Sequence, residues 1–142
     1  MKLVDLNVLL YAVNRDAPGH EKIRSWWEAA ISGDEPVGLA WIVILGFLRL
    51  ATNPQVFAEP LMVDEAIERI DAWLSHPNIR LLRETEEHWR ILKDLLEQTG
   101  TAGNLTTDAH LAALAISYGA TLASCDADFG RFRHLRWENP AG

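Results

Sequence analysis

Residues 2–13 read KLVDLNVLLYAV, and no other segment constrains the fold more. The short, mainly apolar run Lys2-Leu3-Val4 predicts a strand that ends at Asp5. The residues Val8 to Val13 can carry a helical stripe, and Asn7 is suited to cap that helix. We therefore expect a strand, a turn and a helix in this order.

The rest of the chain repeats this alternation of strands and helices. Asp64 and Thr85 are expected as N-caps, and the run Trp41 to Ala51 is apolar nearly all round, which predicts a buried helix. Further helices are expected at His20 to Ile31, from Asp64 to about Pro77, from Thr85 to Gly100, and at Asp108 to Tyr118. Further strands are expected at Val37 to Ala40, Ile79 to Leu82 and Ala120 to Cys125. The sequence thus predicts an α/β fold, with a central parallel sheet flanked by helices on both faces.

Length and cysteine content limit the class of protein. The chain has 142 residues, of which 49% are hydrophobic, so we expect one domain over residues 1–142 with one core. Its single cysteine, Cys125, cannot form an intramolecular disulfide, which fits a reducing cytoplasm. We expect no N-terminal signal and no membrane span, because the apolar run Trp41 to Leu50 is shorter than the roughly 20 residues that a bilayer requires.

The overall charge argues against contact with nucleic acid. A net charge of −7 and a pI near 5.1 mean that the field of the whole molecule repels RNA. Divalent cations bound by some of the 20 acidic residues would invert the charge locally, where a phosphate would lie. The basic cluster Arg131, Arg133, His134 and Arg136 could also help, although a solvated terminal segment is the favoured interpretation.

Four aspartates form the candidate site. Asp5 and Asp126 follow the first and last predicted strands, so a parallel sheet brings both to one edge. Asp108 lies in the first turn of its helix, and Asp128 can join from the loop after Asp126. Carboxylates that lie this close together repel one another unless Mg²⁺ or Mn²⁺ neutralises their negative charge. The matching reaction is phosphodiester hydrolysis with two ions about 3.5–4 Å apart.

Other interpretations of these residues stay open. Asp5 and Asp108 are each suited to cap a helix, and Asp126-Ala127-Asp128 to form an Asx turn, so only their combined positions favour a metal site. The five histidines show no zinc-binding spacing, and His110 points away from Asp108 on its helix. Cys125 is expected to be buried and unreactive, and most tryptophans to lie in the core, with Trp137 at a surface contact.

Four blocks of sequence resemble a known family. They are LVDLNVLL at residues 3–10, FLRL at 47–50, NLTTDAHLA at 104–112 and SCDADF at 124–129. Together they resemble the PIN-domain ribonucleases of the VapC toxin type, over essentially the whole chain and in the right order. The resemblance implies a PIN-like domain that cleaves RNA with Mg²⁺ or Mn²⁺, forms a homodimer and is silenced by a cognate VapB-type antitoxin. It does not distinguish tRNA, rRNA or mRNA as the target.

The same resemblance assigns roles to individual residues. Asp5, Asp108 and Asp126 match the acidic metal-site residues, and Asp128 matches a fourth. The polar residues that match supporting positions are Asn7, Thr107 and Ser124.

One position departs from the family's pattern. The family often has an acidic residue just before the Phe-Leu-Arg block, where this chain has Gly46. A neighbouring acid could substitute, three aspartates could suffice, or the enzyme could be impaired. Arg49, in the same block, is suited to contact a phosphate or to pair with an acid.

Two rival functions follow from the same residues. An aspartate-nucleophile phosphatase needs an acid and a threonine where this chain has Asn7 and Leu9, so it lacks its proton donor. A non-catalytic PIN-like module that binds RNA or protein is kept open by Gly46. Metal-dependent RNA cleavage distinguishes the main hypothesis from this module.

Overall fold

Five short parallel strands and six helices alternate along the chain in a computed structural model that describes residues 1–142. The strands are β1 (Lys2–Val4), β2 (Val37–Leu39), β3 (Ile79–Leu81), β4 (Thr121–Ala123) and β5 (Arg136–Glu138). The helices are α1 (Leu6–Val13), α2 (His20–Ser32), α3 (Trp41–Ala51), α4 (Val63–Ser75), α5 (His88–Thr99) and α6 (Thr106–Ser117). The predicted alternation of strands and helices is confirmed.

The order of the strands places a crevice beside β1. The sheet runs β3-β2-β1-β4-β5, with Leu3 of β1 opposite Gly38 of β2 and Leu122 of β4. The chain moves outwards from β1 through β3 and then returns past β1 to β4. In such sheets, ligands bind outside the carboxyl ends of the strands where this direction reverses. The reversal lies between β1 and β4.

The helices form two groups, one for each face of the sheet. Helix α1 contacts α2 and α3, α3 contacts α4, and α5 packs on α6. Because parallel crossovers are right-handed, the outward steps carry α1 to α4 over one face and the return step carries α5 and α6 over the other. The predicted α/β architecture is therefore confirmed.

The core is continuous and centres on β1. The strand residues Leu3, Leu39 and Leu122 are fully buried, and Phe47 of α3 is also fully buried. No helix of the structure is long and apolar enough to cross a membrane.

Three predicted helix caps are wrong. Asp5, not Asn7, caps α1, because the Asp5 carboxylate accepts a hydrogen bond from the Leu6 amide. Helix α4 begins at Val63, one residue before Asp64. The Thr85 side chain has no partner, and α5 begins at His88. In α1 the side chain of Asp5 accepts from an amide of the first turn. In α4 and α5 backbone carbonyls accept the first hydrogen bonds of the helix instead.

Helix α3 is only partly buried, contrary to the prediction of a buried helix. Its inner face holds Phe47, but Trp41 is 49% exposed and Leu45 is 58% exposed. Trp89 of α5 is 65% exposed, although most tryptophans are predicted to lie in the core. An apolar helix surface is therefore not a reliable sign of burial here.

The last strand has no counterpart among the strands predicted from the sequence. Strand β5 covers Arg136–Glu138 and pairs with β4, although its polar sequence lacks the apolar run that indicates a strand. The predicted strand at Ala120 to Cys125 is shorter in the structure, since β4 ends at Ala123. Trp137 is partly buried rather than at a surface contact, and its indole nitrogen donates to the Ser124 carbonyl at 2.9 Å. The basic cluster near β5 is solvent-exposed, as favoured from the sequence.

Candidate active site

The pairing of β1 with β4 brings the first and last aspartates to one edge of the sheet. Val4 lies opposite Ala123, and the Asp5 amide donates to the Ala123 carbonyl at 2.9 Å. Asp5 and Ser124 therefore follow neighbouring strands side by side. Asp126 lies two residues further along the loop.

A hydrogen-bond network fixes the Asp5 carboxylate. The Ser124 hydroxyl donates to Asp5 Oδ2 at 2.7 Å, and the Leu6 amide donates to Oδ1 at 2.7 Å. The Asn7 amide donates to Asp5 Oδ2 at 3.3 Å and to Ser124 Oγ at 3.2 Å. Ser124 is fully buried and also accepts from the Asp126 amide at 3.0 Å. Each predicted supporting residue of this network, Asn7 and Ser124, thus contacts the site.

The Asx-turn interpretation of residues 126–128 also describes the structure. The Asp128 amide donates to Asp126 Oδ1 at 2.9 Å, so the Asp126 side chain caps the short 3₁₀ turn that follows. Asp5 likewise caps α1. Each bond uses one carboxylate oxygen and leaves lone pairs for another ligand. The structural roles and a metal site are therefore compatible.

Asp108 completes the group from α6, the helix that covers the other face. It is the third residue of α6 and is half-buried. Burial, followed by the negative charges of Asp5, Asp126 and Asp128, raises the pKa of Asp108 to about 6. The pKa of Asp5 is also raised, mainly by burial and slightly by Asp126, although the hydrogen bonds from Ser124 and Leu6 oppose this shift. The charges of the other three aspartates therefore act on Asp108, and the charge of Asp126 also acts on Asp5.

The donor set fits a hard divalent cation. Carboxylate oxygens are the ligands that Mg²⁺ and Mn²⁺ prefer, and like charges in one crevice favour a neutralising ion. No three acidic, histidine or cysteine side chains already meet in metal-ligand geometry. Binding of one ion by three of these aspartates therefore requires their side chains to move closer together.

A cavity of about 190 Å³ opens beside Asp5 and Asp108. Its wall on α3 contains Gly46, where an added Cβ atom would lie 2.6 Å from Leu6 Cδ2. The Leu6 side chain therefore occupies the space that a side chain at position 46 would need. Asp5 and Asp108 are the only acidic residues that line the cavity, so no neighbouring acid replaces the missing one. No pattern in the sequence indicates that Leu6 takes part.

Arg49 lies on the same wall of the cavity as Gly46. It forms no salt bridge, so the proposed structural ion pair is wrong. Thr107 also lines the cavity, and it is exposed. Arg49 is therefore the one positively charged residue of this cavity.

His110 and Cys125 lie near the aspartates, and the sequence predicts that neither takes part in the chemistry. His110 contacts His88, with His88 Nε2 and His110 Nδ1 2.8 Å apart. Burial, assisted by the charge of Asp5, raises the pKa of the Cys125 thiol. A thiol with a raised pKa is a poor nucleophile at neutral pH, in agreement with the prediction that Cys125 is unreactive. The prediction that Cys125 is buried in a strand is wrong, because it is only partly buried and follows the end of β4.

Comparison with known proteins gives the family. A family model described as PIN domain matches residues 2–135. The chain belongs to the PIN-domain family. Ribonuclease VapC37 of Mycobacterium tuberculosis is 46% identical over 140 residues, which cover 99% of this chain and 97% of that relative. Ribonuclease VapC33 of the same organism is 43% identical, with 99% and 98% covered. This PIN domain is thus of the VapC type, and the resemblance found in the sequence is confirmed.

Solved structures share the fold of this PIN domain. A chain of VapBC2 from Rickettsia felis has a TM-score of 0.71 at 19% identity, and the match covers 97% of both chains. VapC20 of Mycobacterium tuberculosis has a TM-score of 0.68 at 17% identity and covers 96% of this chain and 99% of its own. At these identities the likeness concerns the fold alone.

The Ser124 hydroxyl contacts Asp5, Asn7 and the Asp126 amide, so its removal should destabilise the protein. We expect Ser124→Ala to lower the free energy of unfolding by about 2 kcal/mol, because the buried Asp5 oxygen and the Asp126 amide each lose a partner. Urea unfolding of both proteins measures the difference. Ser117→Ala is the matched control, since the Ser117 hydroxyl only donates to a carbonyl of its own helix. Equal losses for the two variants would contradict the role given to Ser124.

Proposed function

We propose that this chain is a metal-dependent endoribonuclease and the toxin of a type II toxin–antitoxin pair. The observation that carries the proposal is the group of four carboxylates at one edge of the sheet, beside a cavity that Arg49 lines. The relatives support it, since VapC37 and VapC33 are named ribonucleases and VapC20 is described as a sarcin-ricin loop cleaving toxin. We propose Asp5, Asp108 and Asp126 as the residues that hold Mg²⁺ or Mn²⁺, with Asp128 assisting.

The residues of the chain supply positioning and charge for this reaction. A divalent ion bound there would provide Lewis acidity at the phosphoryl group. Asp5 cannot rotate freely, because Ser124, Asn7 and the Leu6 amide hold both of its oxygens. Asp108 approaches the same crevice from α6 and would complete the ligand set in its ionised form. Because these hydrogen bonds already hold Asp5, this ligand would not need to reorganise during the reaction.

The relatives and the protein surface support three proposed partners: an antitoxin, a second copy of the chain and an RNA substrate. We propose a VapB-type antitoxin, because VapBC complexes from Rickettsia felis and Salmonella typhimurium are among the proteins of the same fold. We also propose a homodimer, since Trp41, Leu45, Met62 and Val63 expose apolar side chains that a partner could cover. The proposed substrate is a structured cellular RNA, whether tRNA, rRNA or mRNA, because the charge of −7 disfavours unspecific RNA binding. The proposed location is the cytoplasm, with one domain over residues 1–142.

A second candidate function rests on Gly46. A catalytically impaired PIN-like module would bind RNA or protein without cleaving it, and the absence of an acidic residue at position 46 of α3 favours this alternative. Two observations argue against the phosphatase alternative. The chain belongs to the PIN-domain family, and Asn7 binds Asp5 and Ser124 rather than serving as an acid.

Cleavage of total bacterial RNA by the purified protein tests the proposal. We expect discrete RNA fragments with Mg²⁺ or Mn²⁺ and none with EDTA, because the carboxylates need an ion to act on a phosphodiester. Sequencing of the fragment ends would identify the target. A well-folded protein that leaves RNA intact with both metals would favour the binding module instead. Comparable cleavage of every RNA in the sample would contradict the proposed selectivity.

A further inference from the structure

The cavity beside the aspartates has two chemically different walls. One wall carries the carboxylates of Asp5 and Asp108. The wall on α3 consists of Ile42, Val43, Gly46 and Arg49. Leu6, Thr107 and Leu111 complete the lining. Two carboxylates and one guanidinium group therefore line the same cavity of about 190 Å³.

The α3 wall cannot bind a metal ion. A second ion, about 3.5–4 Å from the first, would need oxygen ligands on its far side. Position 46 has no side chain, and Leu6 packs so closely against it that a Cβ atom would lie 2.6 Å from Leu6 Cδ2. The other residues on this wall are apolar, except for Arg49. The cavity therefore offers carboxylate ligands for an ion on one side only.

Arg49 lines the same cavity and has no ion-pair partner, so it is available to replace the second metal ion. It lies three residues after Gly46 and seven after Ile42, so these residues share one face of α3. The Arg49 side chain is exposed and forms no ion pair. Only two of the ten arginines form one, Arg24 with Glu28 and Arg90 with Glu87, so the location of Arg49 in the cavity, and not its lack of a partner, sets it apart. The last turn of α3, where Arg49 lies, is also favourable for a positive charge.

The chemistry of a guanidinium group matches this position. Its planar N–H fork binds two oxygens of one phosphate, and it stays charged at every working pH. A phosphodiester that contacts an ion on the aspartate wall would have free oxygens within the same cavity, which the α3 wall also lines. We propose that Arg49 binds this phosphodiester and supplies the positive charge that a second metal ion would otherwise supply. The inference rests on the proposed function. It means that the site binds one metal ion and not two.

The test uses the full chain and two readouts that do not depend on cleavage. The variants are Arg49→Met and Arg49→Lys, and Arg90→Met on the exposed face of α5 is the matched control. Electron paramagnetic resonance counts the Mn²⁺ ions that each protein binds. Fluorescence anisotropy measures the affinity for a labelled mixed-sequence RNA in Ca²⁺, at several salt concentrations. Circular dichroism and Tm establish that each variant is folded.

We expect one Mn²⁺ ion per chain in all four proteins. Arg49→Met should bind the RNA about tenfold more weakly, with a salt slope lower by about one phosphate contact, whereas Arg90→Met should equal the wild type. Arg49→Lys should lie between them, because lysine keeps the charge but not the fork. In cleavage assays, Arg49→Met should lose on the order of 100-fold in kcat/KM, a loss in the range of single transition-state donors.

Two results would overturn the inference. Two Mn²⁺ ions bound per wild-type chain would show that a second ion fills the position assigned to Arg49. RNA affinity of Arg49→Met equal to that of Arg90→Met would show that Arg49 binds no phosphate. Failure of the proposed function would give a different result, namely no RNA cleavage by the wild type. In that case the ion count and the RNA affinity would still decide the role of Arg49.

Discussion

Asp5→Asn is expected to abolish RNA cleavage, with a fall of roughly 10³-fold, or about 4 kcal/mol in the activation free energy. Asparagine has the same shape; its single oxygen can still accept from the Leu6 amide, and its NH2 group can donate to the Ser124 hydroxyl oxygen, so the fold and the cap of α1 should persist. It lacks the charge that a divalent ion requires. Rates of RNA cleavage with Mg²⁺ measure the effect, and Tm measurements establish that the variant is folded.

The matched control for this variant is Asp71→Asn. Asp71 is exposed on α4, and its side chain makes no hydrogen bond or salt bridge. Its replacement changes the net charge by the same amount and should leave cleavage unchanged. Similar losses in both variants would mean that charge over the whole molecule, rather than the site, controls the activity.

Asp108→Asn is expected to abolish cleavage and also to stabilise the metal-free protein at neutral pH. The folded-state pKa of Asp108, about 6, is above its ordinary value of 3.8. The stability that this group contributes is therefore fully present below about pH 4 and is lost as the pH rises through about 6. Asparagine is uncharged at all pH values and avoids that loss. Since Asp108 is partly exposed, solvent screening limits the gain to about 1 kcal/mol, or roughly 3 °C in Tm.

Thermal unfolding in EDTA from pH 4 to pH 8 tests this second expectation. The Tm of Asp108→Asn minus that of the wild type should be near zero at pH 4, rise between pH 4 and pH 6, and stay positive and level up to pH 8. Added Mg²⁺ should raise the Tm of the wild type at pH 7.5 more than that of the variant, because an ion that binds the folded state stabilises it. A variant that is less stable than the wild type at pH 7.5 in EDTA would contradict the repulsion among these carboxylates.

The architecture is predictable from the sequence because the elements alternate clearly. The strand before Asp5 and the helix after it are both present, and the parallel pairing of β1 with β4 brings Asp5 and the Asp126 loop to one edge, as expected. Asn7 and Ser124 also lie where the resemblance places them, in contact with Asp5. Local periodicity and strand order are sufficient for these features.

Other features depend on contacts that no local pattern reveals. Strand β5 reads Arg-Trp-Glu and is held by its pairing with β4, not by an apolar run. Trp41 and Trp89 are exposed because an apolar side chain on a helix is buried only where another element covers it. The contact of Leu6 with Gly46 joins two residues 40 positions apart, and only the packing of α1 against α3 reveals it.

The proposed function depends above all on Asp5, Asp108 and Asp126 holding the catalytic ion. Anomalous diffraction from crystals of the protein grown with Mn²⁺ is the decisive measurement, because the signal locates the ion without regard to activity. We expect one strong peak, about 2.1 Å from carboxylate oxygens of these three aspartates. A peak only at other residues, or none at a Mn²⁺ concentration that supports RNA cleavage, would contradict this assignment.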